Sequence, residues 1–160
     1  VSFDLAKGGT FSTSSTDDKV TFAMFYASWC GFCKRALPKL SEMSASYEGK
    51  PVRFVGVSLD TIVDKPDPKN RRGKTREYVK QQWADMGIKF PQAFDVGKAG
   101  RNQFKVQSFP TMFLIGKTGV VEQVYVGGGG VNDGSVKRDI ETLLAGKSIQ
   151  GAKGSAGAGR

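Results

Sequence analysis

The sequence predicts an α/β domain in which helices flank a central mixed sheet, with a short hairpin ahead of the main fold. Three observations predict it. Two apolar runs rich in β-branched and aromatic residues, Val20–Tyr26 and residues 52–59, read as strands covered on both faces. Between them apolar residues recur at Phe32, Ala36, Leu37, Leu40, Met43 and Tyr47, the spacing of one helix face. Strand-like and helical segments then continue to alternate and end in a hairpin and a helix, the order of a mixed sheet with helices on both faces. A chain of 160 residues with 39% hydrophobic content can bury one core and argues for one domain.

Taken in order, Ser2–Leu5 and Thr10–Ser12 flank Gly8-Gly9 as a short hairpin. Val20–Tyr26 is the central strand. The helical pattern that follows starts just after Cys30 and is stopped by Gly49. Pro38 falls inside it and predicts a kink one turn in, with the helix continuing beyond. The second strand ends at Asp60, and the polar, proline-containing, basic residues 61–74 read as an inserted loop. Residues 76–86 read as helix, 90–94 as a short strand and 99–104 as a single short helix. Thr111–Ile115 and residues 120–126, joined by Gly116-Lys117-Thr118-Gly119, form the clearest hairpin, and Gly127 to Gly130 break it. Val136, Ile140, Leu143 and Leu144 mark a last amphipathic helix. The division is a domain over 1–148 and a small, polar, glycine-rich flexible tail over 149–160.

Composition excludes several classes of function. Histidine is absent, which removes the commonest general base and the commonest transition-metal ligand. With two cysteines, neither a disulfide framework nor a four-thiolate zinc site can be built from this chain alone. The net charge is +9, from 24 Lys and Arg against 15 Asp and Glu, which attracts acidic partners in general. The basic residues are scattered, without zinc-finger spacing or an RNA-binding aromatic signature, so nucleic acid is not a predicted partner. The run holding Lys69, Arg71, Arg72, Lys74 and Arg76 reads as solvated surface, with docking of an acidic partner or a membrane as the alternative. No stretch approaches the roughly 20 apolar residues of a membrane helix. The chain starts at Val1 without a leader, which is read as a processed or trimmed form.

Chemistry concentrates at Trp29-Cys30-Gly31-Phe32-Cys33. Two cysteines separated by two residues at a helix start can close a small disulfide ring, and the first sulfur sits where backbone donors and the helix dipole favour a thiolate. Lys34 and Arg35 add to that, so a lowered Cys30 pKa is expected. Cys30 is the candidate nucleophile toward a partner disulfide and Cys33 the candidate resolving thiol. An inert disulfide and a linear copper(I) site are the other readings these residue types allow. Trp29 reads as shaping the partner surface, Trp83 as core or insertion packing, and Asp60 as a strand-end residue rather than a proton relay.

The run Phe25-Tyr26-Ala27-Ser28-Trp29-Cys30-Gly31-Phe32-Cys33-Lys34-Arg35 resembles the active-site segment of the thioredoxin superfamily, and Phe109-Pro110-Thr111 resembles its second landmark. With Val55-Gly56-Val57-Ser58-Leu59-Asp60, an inserted helical segment and Phe90-Pro91-Gln92-Ala93-Phe94-Asp95, the chain is most similar to the extracytoplasmic TlpA-like, or redoxin-like, branch, over roughly residues 2–144. The resemblance implies a thioredoxin-like fold and a cis Phe109-Pro110 bond, a geometry nearly confined to bonds before proline. It implies a substrate groove formed by Trp29, Gly31, Phe32, Phe109 and Pro110, with no cofactor beyond the Cys30–Cys33 disulfide and no metal. It also implies protein thiols and disulfides as partners, a membrane-linked electron donor or acceptor, and a periplasmic or otherwise extracytoplasmic monomer, anchored through a segment absent from this chain. Reduction of substrate disulfides is the preferred direction, with an oxidase or isomerase as the alternative. The sequence departs from the family at Ala36 and Met24, where relatives place proton-transfer carboxylates, and at Gly31-Phe32, a determinant of redox poise.

Overall fold

The computed structural model describes residues 1–149. β1 (Ser2–Leu5) and β2 (Thr10–Ser12) pair antiparallel around Gly8 and Gly9, whose φ angles of 101° and 84° suit residues without a Cβ. All seven residues of β3 (Val20–Tyr26) are buried. Because successive side chains of a strand point to opposite faces, Val20, Phe22, Met24 and Tyr26 enter one apolar cluster while Ala23 and Phe25 enter the other. α1 (Gly31–Ser46) packs its Cys33, Ala36, Leu37 and Leu40 face on the first cluster and runs through Pro38 to Ser46. Its crossover makes β4 (Val52–Ser58) parallel to β3.

The expected loop over residues 61–74 is partly ordered by a pairing that the sequence did not suggest. β5 (Thr61–Ile62) and β6 (Gly73–Lys74) form a separate two-stranded parallel sheet. α2 (Arg76–Asp85), capped by the Thr75 hydroxyl accepting the Tyr78 N–H, is the helical insertion. Trp83 from α2 packs as expected in the core, 5.4 Å from the rings of both Tyr26 and Phe90. Its ring lies over Gly56, where a Cβ would meet Cη2 at 2.3 Å, so only glycine fits there. β7 (Gln92–Phe94) then pairs parallel to β4 and antiparallel to β1.

α3 (Ala99–Asn102) is the short helix on the opposite face of the sheet. β8 (Thr111–Ile115) and β9 (Val121–Val126) form the second hairpin. The glycines expected only to break it instead start α4 (Gly129–Asn132), whose Asn132 side chain accepts a hydrogen bond from Lys39 on α1 at 2.6 Å. α5 (Ser135–Leu144) closes the chain on the α1 face with Val136, Ile140 and Leu143. The main sheet runs β2-β1-β7-β4-β3-β8-β9, a mixed seven-stranded sheet as predicted. Ile149, the first residue of the expected tail, is 4% exposed and joins the core. Residues 150–160 lie outside the described residues.

Three tyrosine hydroxyls tie the α1 face together. Tyr26 accepts from the buried Gln92 amide at 2.7 Å, Tyr47 donates to Glu141 at 2.9 Å and Tyr125 donates to Asp139 at 2.5 Å. Burial pushes all three well above the ordinary tyrosine value, and the carboxylate partners of Tyr47 and Tyr125 push further the same way.

Candidate active site

β3 hands the chain to α1 through a four-residue turn, and the cysteine pair sits where the helix begins. Cys30 is the N-cap residue of α1: its backbone is extended, with φ −84° and ψ 112°, and its Sγ accepts the Cys33 N–H at 3.2 Å. Its sulfur thus takes the place of the oxygen that usually caps a helix. The two cysteines are joined as a disulfide, with Cα atoms 5.3 Å apart. Cys30 is 6% exposed and lines a surface groove, whereas Cys33 is fully buried and does not line it. The positive end of a 16-residue helix is aimed at Cys30, and no acidic residue stands in the first turn to oppose it.

A shallow groove of about 420 Å³ opens beside Cys30. One bank is formed by Trp29 to Phe32 and the other by Gln107 to Phe109, with Arg72 and Arg101 completing the wall. Trp29 is 41% exposed and Phe32 67%, and the Trp29 ring meets Phe109 edge-on at 5.5 Å. The Phe109-Pro110 bond is cis, as the resemblance implied, and Pro110 is buried. Of the groove residues singled out from the sequence, Trp29, Gly31, Phe32 and Phe109 line the groove with Cys30, whereas Pro110 does not line it.

The turn bearing Trp29 and Cys30 is fixed through Ser28. The Asp60 carboxylate accepts from the Ser28 N–H at 2.9 Å and the Ser28 hydroxyl at 2.6 Å, and also from the Ser58 hydroxyl at 2.7 Å. Gln82 on α2 donates to the Ser28 carbonyl at 2.8 Å. Asp60, read from the sequence as a strand-end residue, is thus a buried anchor whose oxygens are filled by donors. Met24 and Ala36 are buried apolar residues, so neither of the positions where relatives carry a carboxylate supplies one.

Two residues of the site, Gln82 and Arg101, were missed in the sequence, and a third, Arg72, was noticed only as part of a basic run. Gln82 reaches Ser28 only because α2 folds back across the end of β3. Arg72, within the run read as solvated surface, has its guanidinium carbon 3.8 Å from the Trp29 ring centroid. Arg101, on α3, lines the groove. The one signal for Arg72 was the basic run itself.

Residues 1–124 match the AhpC/TSA family. Among individual proteins, the thiol-disulfide oxidoreductase ResA of Bacillus anthracis is 32% identical over 107 residues, which cover 66% of this chain and 54% of the relative. The chain thus spans about half the length of that relative. A protein from Chlorobium tepidum assigned as a thiol:disulfide interchange protein DsbE superposes with a TM-score of 0.74 at 25% identity, covering 90% of this chain and 92% of that one. A protein from Neisseria meningitidis assigned as a thioredoxin superposes with a TM-score of 0.72 at 26% identity, covering 100% and 95%. These likenesses match the thioredoxin-like architecture expected from the sequence.

Proposed function

The chain belongs to the AhpC/TSA family, and we propose that it is a thiol-disulfide oxidoreductase that exchanges disulfides with protein partners through Cys30 and Cys33. The observation that carries this reading is the unequal placement of the two cysteines at a helix start: Cys30 caps α1 and lines the groove, and Cys33 is fully buried. In the dithiol form the Cys30 thiolate attacks a substrate sulfur, the substrate S–S bond breaks, and the departing substrate thiolate takes a proton. Cys33 then loses its proton and attacks Cys30 Sγ, which restores the Cys30–Cys33 bond and releases the second substrate sulfur as a thiol. Two electrons pass from the protein to the substrate, and a thiol donor returns them.

An extended polypeptide suits the groove. Among the described residues the Phe109 N–H and carbonyl make no hydrogen bond, which leaves a donor and an acceptor beside Cys30 for a strand-like substrate. The same reading takes the Cys30–Cys33 disulfide as the redox group in place of a bound cofactor. It places the monomeric protein outside the cytoplasm, served by a membrane-linked thiol donor, with no nucleic-acid partner. Among the described residues no helix is long and apolar enough to cross a membrane.

The test is the equilibrium potential of the pair in glutathione and dithiothreitol buffers. A value below about −220 mV supports reduction as the working direction, and one near −120 mV reverses it. Absence of a reversible two-electron transition overturns the exchange reading. A Cys33→Ser variant is expected to hold its substrate as a mixed disulfide at Cys30.

A further inference from the structure

We infer that the groove beside Cys30 selects polypeptide disulfides flanked by acidic side chains, with Arg72 and Arg101 as the specificity-determining residues. This rests on the exchange reading above and adds the chemical class of its substrate.

The charged residues lining the groove are Arg72 and Arg101, and among the described residues no carboxylate lines it. The two arginines come from unconnected elements, the inserted segment 61–74 and α3, and both are exposed. Neither makes an ion pair with a carboxylate among the described residues. Arg72 lies over the Trp29 ring at 3.8 Å. Stacking engages the flat face of a guanidinium and leaves the N–H donors on its edge, in the fork that matches a carboxylate. An aromatic ring that also borders the sulfur pair therefore holds a ready carboxylate receptor in position.

The surroundings reinforce the sign. Arg101 also lines an adjoining cavity of about 560 Å³ together with Arg76 and Lys98. Two carboxylates border that cavity, and both are occupied. Asp95 accepts the Ala99 and Gly100 N–H groups at 2.8 Å each, and Asp60 holds Ser28 and Ser58. The charge left to meet a partner along this stretch is positive. A segment with acidic residues beside its disulfide pairs its carboxylates with Arg72 and Arg101 while its backbone meets Phe109.

Three synthetic peptides with the same internal disulfide, flanked by Glu, Gln or Lys, test this against the reduced protein. The Glu peptide is expected to react about 5- to 10-fold faster than the Gln peptide at low ionic strength, the scale of two exposed charge pairs, and the Lys peptide slower than both. That ratio is expected to collapse toward unity at about 1 M salt, where the screening length is about 3 Å. It is lost in the Arg72→Gln, Arg101→Gln double variant and recovered only in part by Arg72→Lys, Arg101→Lys, which keeps the charges but not the planar fork. Equal rates for Glu and Gln peptides in the unmodified protein, or a ratio that survives the Gln variant, overturn the inference. Affinities of disulfide-free serine analogues of the peptides, measured calorimetrically, separate the two readings. If no peptide is reduced the exchange reading fails, and tighter binding of the Glu analogue than the Gln analogue still upholds the groove's preference, whereas equal binding overturns it.

Discussion

On the face of the sheet away from α1, the centre is dominated by phenylalanine rings. Phe25 meets Phe3 at 5.7 Å, Phe104 at 5.1 Å and Phe113 at 5.5 Å, and Phe104 meets Phe113 at 5.0 Å. On the α1 face the same sheet carries the cysteine pair, the Tyr26–Gln92 hydrogen bond, Asp60 with its two serines, and the Trp83 ring seated on Gly56. Aromatic packing contributes chiefly through the large area that it buries. Buried hydrogen bonds need direction and are costly to leave unmade. The phenylalanine face therefore supplies stability and the α1 face supplies position, although one strand, β3, contributes alternate residues to both.

The strongest way to break that division is to cut each face at its centre. Cys30→Ser is expected to abolish disulfide exchange, read with any of the peptide substrates, while folding cooperatively. Phe25→Ala is expected to lose about 3–5 kcal/mol in denaturant unfolding while the potential of the folded fraction stays within about 30 mV of the parent, about 1.4 kcal/mol on the two-electron scale. A larger shift in potential would show that the two faces are coupled.

A smaller effect is expected at Gly56. Adding a methyl group there forces the Trp83 ring out of its seat, and Gly56→Ala should cost about 1–3 kcal/mol in denaturant unfolding. Asp60→Asn comes next, because one amide oxygen cannot serve three donors and its NH2 opposes them. We expect a loss of about 1–3 kcal/mol and slower exchange, with Asp60 acting as a positioning residue through Ser28. The pH profile of the rate should keep its shape, and a lost limb in that profile would make Asp60 a proton carrier instead.

The mildest probe is alkaline pH. Tyr26, Tyr47 and Tyr125 all belong to the α1 face and hold their protons in the fold beyond the ordinary value of 10.0. The unfolded chain releases those protons first, so this contribution is complete below about pH 10 and falls as pH rises above it. The melting temperature should decline in that range, and less steeply in Tyr125→Phe, which cannot ionise beside Asp139.

Local pattern was enough for most of the fold. Both hairpins, α1 and α5 were legible because their apolar residues repeat with the period of the element and glycines punctuate their turns or ends, and β3 because it is a nearly continuous apolar run rich in β-branched and aromatic residues. The disulfide pair was legible because Cys30, Cys33 and the helix start are neighbours in the chain, and Phe109-Pro110 because the motif is contiguous. What escaped depends on distant partners. Thr61 and Ile62 become a strand only when Gly73 and Lys74 return beside them. Gly129 and Gly130 have little intrinsic tendency to form a helix, and α4 owes its place to α1 and β9. Ser28, Gln82 and Asp60 carry no spacing that marks them as a unit, since 54 residues separate the first two.

Cys30 closes the first turn of α1 with the same atom that gains and loses electrons. Oxidation state and folding are consequently two legs of one thermodynamic cycle. Whatever the folded helix contributes to a sulfur anion over a disulfide must appear both as a gap between the unfolding free energies of the two redox forms and as a displacement of the potential from that of the unfolded chain. At about 30 mV for each 1.4 kcal/mol, a calorimeter comparing the oxidised and reduced proteins and a redox buffer would read the same quantity.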